Sequence, residues 1–226
     1  MGKEPNRRKT VKRLYIVVEG QTEEVFVKSV LAPHLQEQGI LFVKPIAIHG
    51  PHGARGGMVS YERLKNNILP LLREGDAPIV STLIDFFRCP DTPGKEVWGK
   101  VINHYDQVWL REQEIGRDIG SRHFIPYIQL HEFEALLFSS DVGFKGLFSP
   151  KEADKLSKIV GDYPNPEEIN SSPESAPSKR ILAIVPTYDK VLGGDLIANA
   201  IGIGTILERC PRFRAWVESL VSACCS

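Results

Sequence analysis

Glu19, Glu23 and Glu24 sit where the apolar run Leu14-Tyr15-Ile16-Val17-Val18 gives way to Gly20-Gln21-Thr22. That composition joins a strand end to a helix start. Ligands collect at such junctions in open α/β sheets, because strand carboxyl ends and helix amino ends converge there. A phosphate would suit the helix end, but three carboxylates repel it, so an anionic ligand needs a bridging divalent cation. The turn reads as half of a magnesium site, with the first-turn Glu23 side chain facing back toward the strand tip that carries Glu19. Glu24 has the plainer reading of a first-turn acid that complements the helix dipole, a reading open to Glu23 as well. Glu19 adjoins the core strand and falls outside it.

A second acid, Asp85, ends the buried run Ile79-Val80-Ser81-Thr82-Leu83-Ile84. Two carboxylates held close together raise each other's pKa unless a cation neutralises them, which again points to a metal; the alternative is a cap on the following turn. Asp91, in the same loop, is either a further ligand or a turn residue. A third acidic group follows in Gln129-Leu130-His131-Glu132-Phe133-Glu134. Glu132 and Glu134 cannot share one face of a regular helix, two positions being roughly 200° apart, so the segment must start irregularly if both bind metal. His131 reads as a base, a ligand, a cap or a structural histidine. Lys179 and Arg180 offer cations against a phosphate or a developing negative charge. Arg55 in the glycine loop 50–57, with His49 and His52 beside it, and Arg88 in the loop after Asp85 are further candidates to meet substrate. The glycine loop lacks the Gly-Lys-Ser/Thr ending of a P-loop, which argues against ATP hydrolysis by this chain alone.

The elements that would position these groups alternate along the chain. Strands are expected near 14–18, 41–48, 78–84 and 124–129, and helices over 22–38, 60–73 and 95–114, the pattern of βαβ units around a parallel sheet. Beyond residue 140 helices dominate. Ser149-Pro150-Lys151-Glu152 and Asn165-Pro166-Glu167-Glu168 each supply a cap, a first-position proline and a glutamate three residues on. The division expected is a basic leader over 1–13, an α/β core over 14–140, and a helical part over 141–226 packed on the same domain.

Lys plus Arg and Asp plus Glu balance at 28 each, so global charge favours no class of partner. The leader is locally basic, which suits either contact with a nucleic-acid backbone or a solvated tail. No apolar run approaches the roughly 20 residues that span a bilayer, so no membrane association and a cytoplasmic location are expected. The four cysteines form no CxxC pair, which suggests neither a zinc site nor a disulfide framework.

Taken in order, Val18-Glu19-Gly20-Gln21-Thr22-Glu23, Leu83-Ile84-Asp85-Phe86-Phe87, Gln129 to Phe138 and Pro177-Ser178-Lys179-Arg180-Ile181 resemble a bacterial family catalogued as a domain of unknown function, DUF4276. That family looks like a member of the Toprim superfamily, which includes topoisomerases, primases and OLD (overcoming-lysogenization-defect) nucleases. The resemblance implies a Toprim-like parallel sheet flanked by helices and carboxylates that bind Mg2+ or Mn2+ for phosphoryl transfer. Glu19 then matches the superfamily glutamate, Glu23 the second acid of OLD-type nucleases, and Asp85 the first aspartate of an Asp-x-Asp pair. Phe87 stands where the second aspartate would be, which either halves the metal site or leaves Asp91 to substitute from the loop. Glu132 or Glu134 corresponds to the acid completing a second metal site, and Lys179 to a downstream lysine that neutralises transition-state charge. The implied activity is metal-dependent hydrolysis of a phosphodiester, with nucleic acid, DNA or RNA, as substrate and an ATPase partner in phage defence. The alternatives are a non-catalytic module that binds nucleic acid, nucleotide or protein, and a phosphatase or nucleotidyl transferase on the same metal site. The apolar surface of the helical tail around 192–221 is sufficient for a homodimer, and a core role explains it equally well.

Overall fold

The computed structural model describes residues 12–48, 60–87, 89–169, 172 and 175–225. The strands are β1 (Arg13–Val18), β2 (Phe42–Ala47), β3 (Ile79–Asp85), β4 (Phe124–Ile125) and β5 (Ile128–Gln129). They form a parallel sheet in the order β2-β1-β3-β4, with β5 also pairing β3.

The core strands bury both faces, and their residues divide by parity. Leu14, Ile16 and Val18 enter one hydrophobic cluster together with Ile79 and Leu83. Tyr15 and Val17 enter a second cluster with Val80 and Ile84, covered by α3 (Tyr61–Leu72) and α5 (His104–Ile119). The first cluster is larger. It takes in α1 (Gln21–Phe26), a π-helical turn (Val27–Leu31) and α2 (Ala32–Glu37), which run on as one bent helix. The wide turn has a local cause: Pro33 has no N–H to offer, and the Ala32 N–H reaches back five residues to the Val27 carbonyl.

Two expected elements divide. The strand read over 124–129 is split at Pro126, which cannot donate to the ladder. The Thr82 hydroxyl spans the gap, accepting from the Tyr127 N–H at 2.7 Å and donating to the Tyr127 carbonyl at 2.8 Å. The helix read over 95–114 becomes α4 (Lys95–Trp98) and α5, separated by residues 99–103, with Asn103 capping α5 through the Tyr105 N–H at 2.8 Å.

The remainder is helical: a 3-10 segment (Phe133–Ser139), α6 (Val142–Leu147), α7 (Pro150–Asp162), a 3-10 turn (Pro166–Glu168), α8 (Pro177–Ile184), α9 (Lys190–Ile201), α10 (Ile203–Arg209) and α11 (Pro211–Cys225). The capping box at Ser149 and Glu152 starts α7, whereas Asn165-Pro166 starts only the short 3-10 turn. The tail packs on the sheet. Trp216 stacks on Tyr127 with ring centres 4.4 Å apart, and its indole N–H donates to the Ser81 hydroxyl at 2.9 Å. No single helix among the described residues is long and apolar enough to cross a membrane.

Candidate functional site: a carboxylate cluster at the strand ends

Parallel register places the carboxyl ends of β1, β3 and β5 side by side. Val18 is level with Leu83, and Asp85 is level with Gln129. The acids that follow are therefore brought together by the sheet, and each is oriented by a specific donor. The Asp85 N–H donates to Glu19 Oε2 at 3.4 Å, and the Gly20 N–H to Glu23 Oε2 at 2.9 Å. The Phe133 N–H donates to Asp85 Oδ1 at 2.8 Å, and the Ser178 N–H, in the first turn of α8, to Glu132 Oε2 at 3.0 Å. Glu134 pairs with Lys190 at 3.0 Å.

The chain between β5 and the 3-10 segment starts irregularly. His131 has φ 68°, a left-handed conformation that a non-glycine residue rarely adopts, and Glu132 follows in extended backbone. This break in regularity puts Glu132 and Glu134 near the same acids. Strain of this kind is maintained where the surrounding structure over-determines it; here the Phe87 N–H donates to the His131 carbonyl at 2.8 Å.

Burial and mutual repulsion push carboxyl groups of the cluster above their ordinary range. Burial, then the neighbouring Glu19 and Glu134, raise Glu23 from 4.5 to about 7. Asp85 is pushed well above the ordinary aspartate range by burial, Glu23, Glu19, Glu134 and Glu132. Burial raises Glu134 too, against the opposing pull of Lys190. Burial works against the Lys190 charge, but Glu134, with help from Glu132 and Asp85, outweighs it and raises the ammonium pKa.

Two participants were not singled out in the sequence. Lys190, rather than Lys179, is the lysine ion-paired within the cluster; Lys179 is exposed in the first turn of α8. Tyr188 is the other: its hydroxyl is buried with no hydrogen-bond partner, and burial and the charges of Glu134, Asp189 and Glu132 raise its pKa. Gly193 makes room for the Tyr188 ring, since a Cβ there would lie 2.8 Å from Tyr188 Cε2. A Cβ on Gly194 would be 3.4 Å from the Tyr188 hydroxyl and 3.6 Å from both Phe133 and Thr22, which sets that hydroxyl between the first turn of α1 and the 3-10 segment. A lysine or tyrosine outside the four motifs carries no spacing signal that would have found it.

Other candidates have different duties. Arg180 donates to the Ser175 and Ile169 carbonyls at 2.8 and 3.1 Å, and its guanidinium lies 5.4 Å from the Tyr163 ring centre. Its donors tie down the loop before α8 and are not presented to a substrate. Asp91 is exposed and pairs with Lys95 across one turn, so it does not stand in for the acid missing at Phe87. Glu24 pairs with Lys28 on the surface of the bent helix. His131 is buried beside His104, ring centres 5.7 Å apart, and burial followed by that neighbour lowers its pKa to about 4. Arg55, Arg88, His49 and His52 lie outside the described residues.

The donor set suits a hard divalent cation in type and charge, being all carboxylate oxygen. The orphaned Tyr188 hydroxyl is a further polar group without a protein partner at the same place. The side chains are not gathered around a common centre: among the described residues, no three His, Cys, Asp or Glu are placed to hold a metal ion together.

A family model described as a domain of unknown function, DUF4276, matches residues 18–221. The chain belongs to this family. The acids of this DUF4276 chain, from Glu19 to Glu134, all lie within the matched span. No curated protein matches the chain. Among solved structures it is similar to the C-terminal region of the OLD protein of Burkholderia pseudomallei, at 18% identity over 94% of this chain and 98% of that one, with a TM-score of 0.49. It is also similar to the C-terminal region of the OLD protein of Xanthomonas campestris pv. campestris, at 15% identity over 95% of each chain, with a TM-score of 0.47.

Proposed function

We propose that this DUF4276 chain is a metal-dependent phosphodiester hydrolase of the Toprim type, a nuclease, with its centre at the ends of β1, β3 and β5. The carrying observation is that Glu23 and Asp85 are each raised by burial and then by the neighbouring carboxylates, Glu19 and Glu134 acting on both and Glu132 on Asp85, at one end of the sheet. Acids that raise one another's pKa in this way are costly in an apoprotein and reasonable when a cation is bound.

Glu19, Glu23, Asp85, Glu132 and Glu134 would have to draw together to hold Mg2+ or Mn2+, since no three of them are placed around one centre; when bound the ion supplies Lewis-acid polarisation of a phosphoryl oxygen and a water of lowered pKa. The chain's own contributions follow from the contacts. Backbone N–H groups of Gly20, Phe133 and Ser178 hold the carboxylates of Glu23, Asp85 and Glu132 in fixed orientations. On this reading Lys190, paired with Glu134, would offset negative charge developing on a phosphate, and the unpartnered Tyr188 hydroxyl would donate to it. The four motifs' resemblance to OLD-type nucleases supports the same reading and motivates an ATPase partner and a role in phage defence.

The test is a time course with plasmid DNA, single-stranded DNA and RNA in magnesium or manganese, beside Glu19→Ala and Asp85→Ala. Cleavage by the parent, lowered at least about 100-fold in both variants with melting temperature maintained, is expected. A second reading is a binding-only module. It is favoured by Phe87 at the second aspartate position and by the Lys190 pair that already occupies Glu134. Absence of cleavage in every metal, with and without a cognate ATPase, would establish that reading in place of hydrolysis.

A further inference from the structure

A cavity of about 520 Å³ opens on the other side of His131, between the first turn of α5 and the 3-10 turn at 166–168. This is within the size range of small-ligand sites. His104, Tyr105 and His131 supply aromatic walls, and Asn103, Asp106 and Glu168 supply polar groups. The cavity adjoins the carboxylate cluster through two covalent neighbours. His131 directly precedes Glu132, and the His104 ring packs 5.3 Å from Phe86, which directly follows Asp85.

The aromatic surface continues outward. Tyr105 is 52% exposed and Trp109, one turn further along the same face of α5, is 53% exposed. The buried Arg212 guanidinium lies 6.0 Å from the Tyr105 ring centre, which anchors that ring from beneath. Exposed flat side chains one helical turn apart form a stepped surface on which successive bases can stack.

Charge decides what the cavity itself accepts. Among the described residues lining it there is an aspartate, Asp106, and two glutamates, but no lysine or arginine. Glu167 is spent on the Arg212 and Phe213 N–H groups at 2.8 and 3.0 Å, whereas Asp106 and Glu168 are exposed at the rim. Such a lining repels a phosphate and accepts hydrogen bonds from amino groups. Adenine, cytosine and guanine carry an exocyclic amino donor, whereas thymine and uracil carry none.

We propose that this cavity takes an unpaired, amino-bearing nucleobase from a single-stranded nucleic acid whose neighbouring bases stack on Tyr105 and Trp109. The inference rests on the hydrolase reading for the fate of the strand and not for its binding: it names the substrate of that site as single-stranded. A duplex keeps its bases stacked on one another and their amino groups paired, so it has nothing to insert.

The test is fluorescence anisotropy in EDTA, where no cleavage proceeds, using a labelled strand of alternating adenine and cytosine, an oligothymidine and a duplex of equal length. The adenine–cytosine strand is expected to bind more tightly than either of the others. Tyr105→Ala should weaken it about tenfold, the scale of one lost base–aromatic stack, and Asp106→Asn should bring it toward parity with oligothymidine. Both side chains are exposed, and thermal melting verifies that the variants fold. Equal binding of duplex and single strand, indifference to Tyr105→Ala, or no binding of any oligonucleotide would overturn the proposal, the last leaving the cavity to a protein partner. A strand that binds as expected but remains uncut in magnesium and manganese, with and without a cognate ATPase, supports the cavity and removes the hydrolase reading. Cleavage that proceeds identically in Tyr105→Ala does the reverse.

Discussion

Two groups of buried carboxylates lie within this fold, and their different treatment separates support from chemistry. Beneath the sheet, Glu112 pairs with Arg212 and accepts the Ile128 N–H at 2.7 Å. Glu167 there accepts two backbone N–H groups, from Arg212 and Phe213. Burial works against the Arg212 charge, but Glu112 beside it more than restores it, so the guanidinium pKa is held above its ordinary value. Arg212 also donates to the Ile128 carbonyl and lies 4.9 Å from the Tyr127 ring centre. This network fastens α11 and α5 to the strand β5. At the strand tips, by contrast, the acids are individually well oriented yet crowd one another: Asp85 is raised by burial and by Glu23, Glu19, Glu134 and Glu132, and Lys190 pairs with Glu134. A buried pair with its donors satisfied holds elements in place; a buried acid excess stores repulsion that a bound cation can relieve.

The sharpest way to break this contrast is to make the supporting network resemble the tip. Arg212→Ala leaves Glu112 buried without its cation and should destabilise the protein by about 3–5 kcal/mol in chemical denaturation. A loss below about 1 kcal/mol would mean that the network is as dispensable as a surface pair.

At the tip the opposite sign is expected. Glu23 keeps its proton in the folded protein up to about pH 7 but gives it up near 4.5 when unfolded. Its contribution to stability therefore falls as pH rises through that window and stays low above it. Glu23→Gln, which can still accept from the Gly20 N–H, should stabilise the protein above pH 7 by up to about 3 kcal/mol, at 1.36 kcal/mol per pKa unit. The two proteins should converge in urea titrations below about pH 4.5. A parent as stable as the variant at neutral pH would show that the repulsion is already quenched.

Magnesium should act in the same direction. Titrated at neutral pH to a hundredfold excess over its dissociation constant, it should stabilise the parent by about 2.7 kcal/mol. Asp85→Ala should lose most of that gain, as read by thermal melting. The smallest effect belongs to Tyr188→Phe. Because that hydroxyl has no partner to lose, stability should change by less than about 1 kcal/mol, while cleavage should fall several-fold if the hydroxyl donates to the phosphate.

Much of this arrangement was readable along the chain, for physical reasons particular to each segment. Strand β1 carries the continuous apolar run Leu14–Val18, mostly β-branched and aromatic, and a run of that kind has little alternative to a sheet buried on both faces. Glu19 and Asp85 were legible because each is the first acid after such a run. An irregular start was required by the spacing of Glu132 and Glu134 only if both face one site; the left-handed His131 is what the structure shows there. The break at Pro126 was legible in principle, since a proline inside a strand pattern demotes it. What could not be read was which cation would meet the acids. Lys179 follows a proline at a helix start and Lys190 opens another helix; nothing local separates them, and the choice depends on how α8 and α9 pack. Arg180 looked equally free, yet its donors close on the carbonyls of a loop up to 11 residues away.

The sequence by itself determined the elements and their order, because burial periodicity, proline and caps act within a few residues. It also determined that acids would stand at the strand ends. The tertiary structure decided that β1, β3 and β5 would be neighbours, and so that acids more than 100 residues apart, Glu23 and Glu134, would repel one another. It also decided that Lys190 and Tyr188 would face those acids, and that His104 and His131 would enclose a cavity beside them. Such pairings depend on register and helix packing, which are set by the shape of a whole core and not by any segment within it.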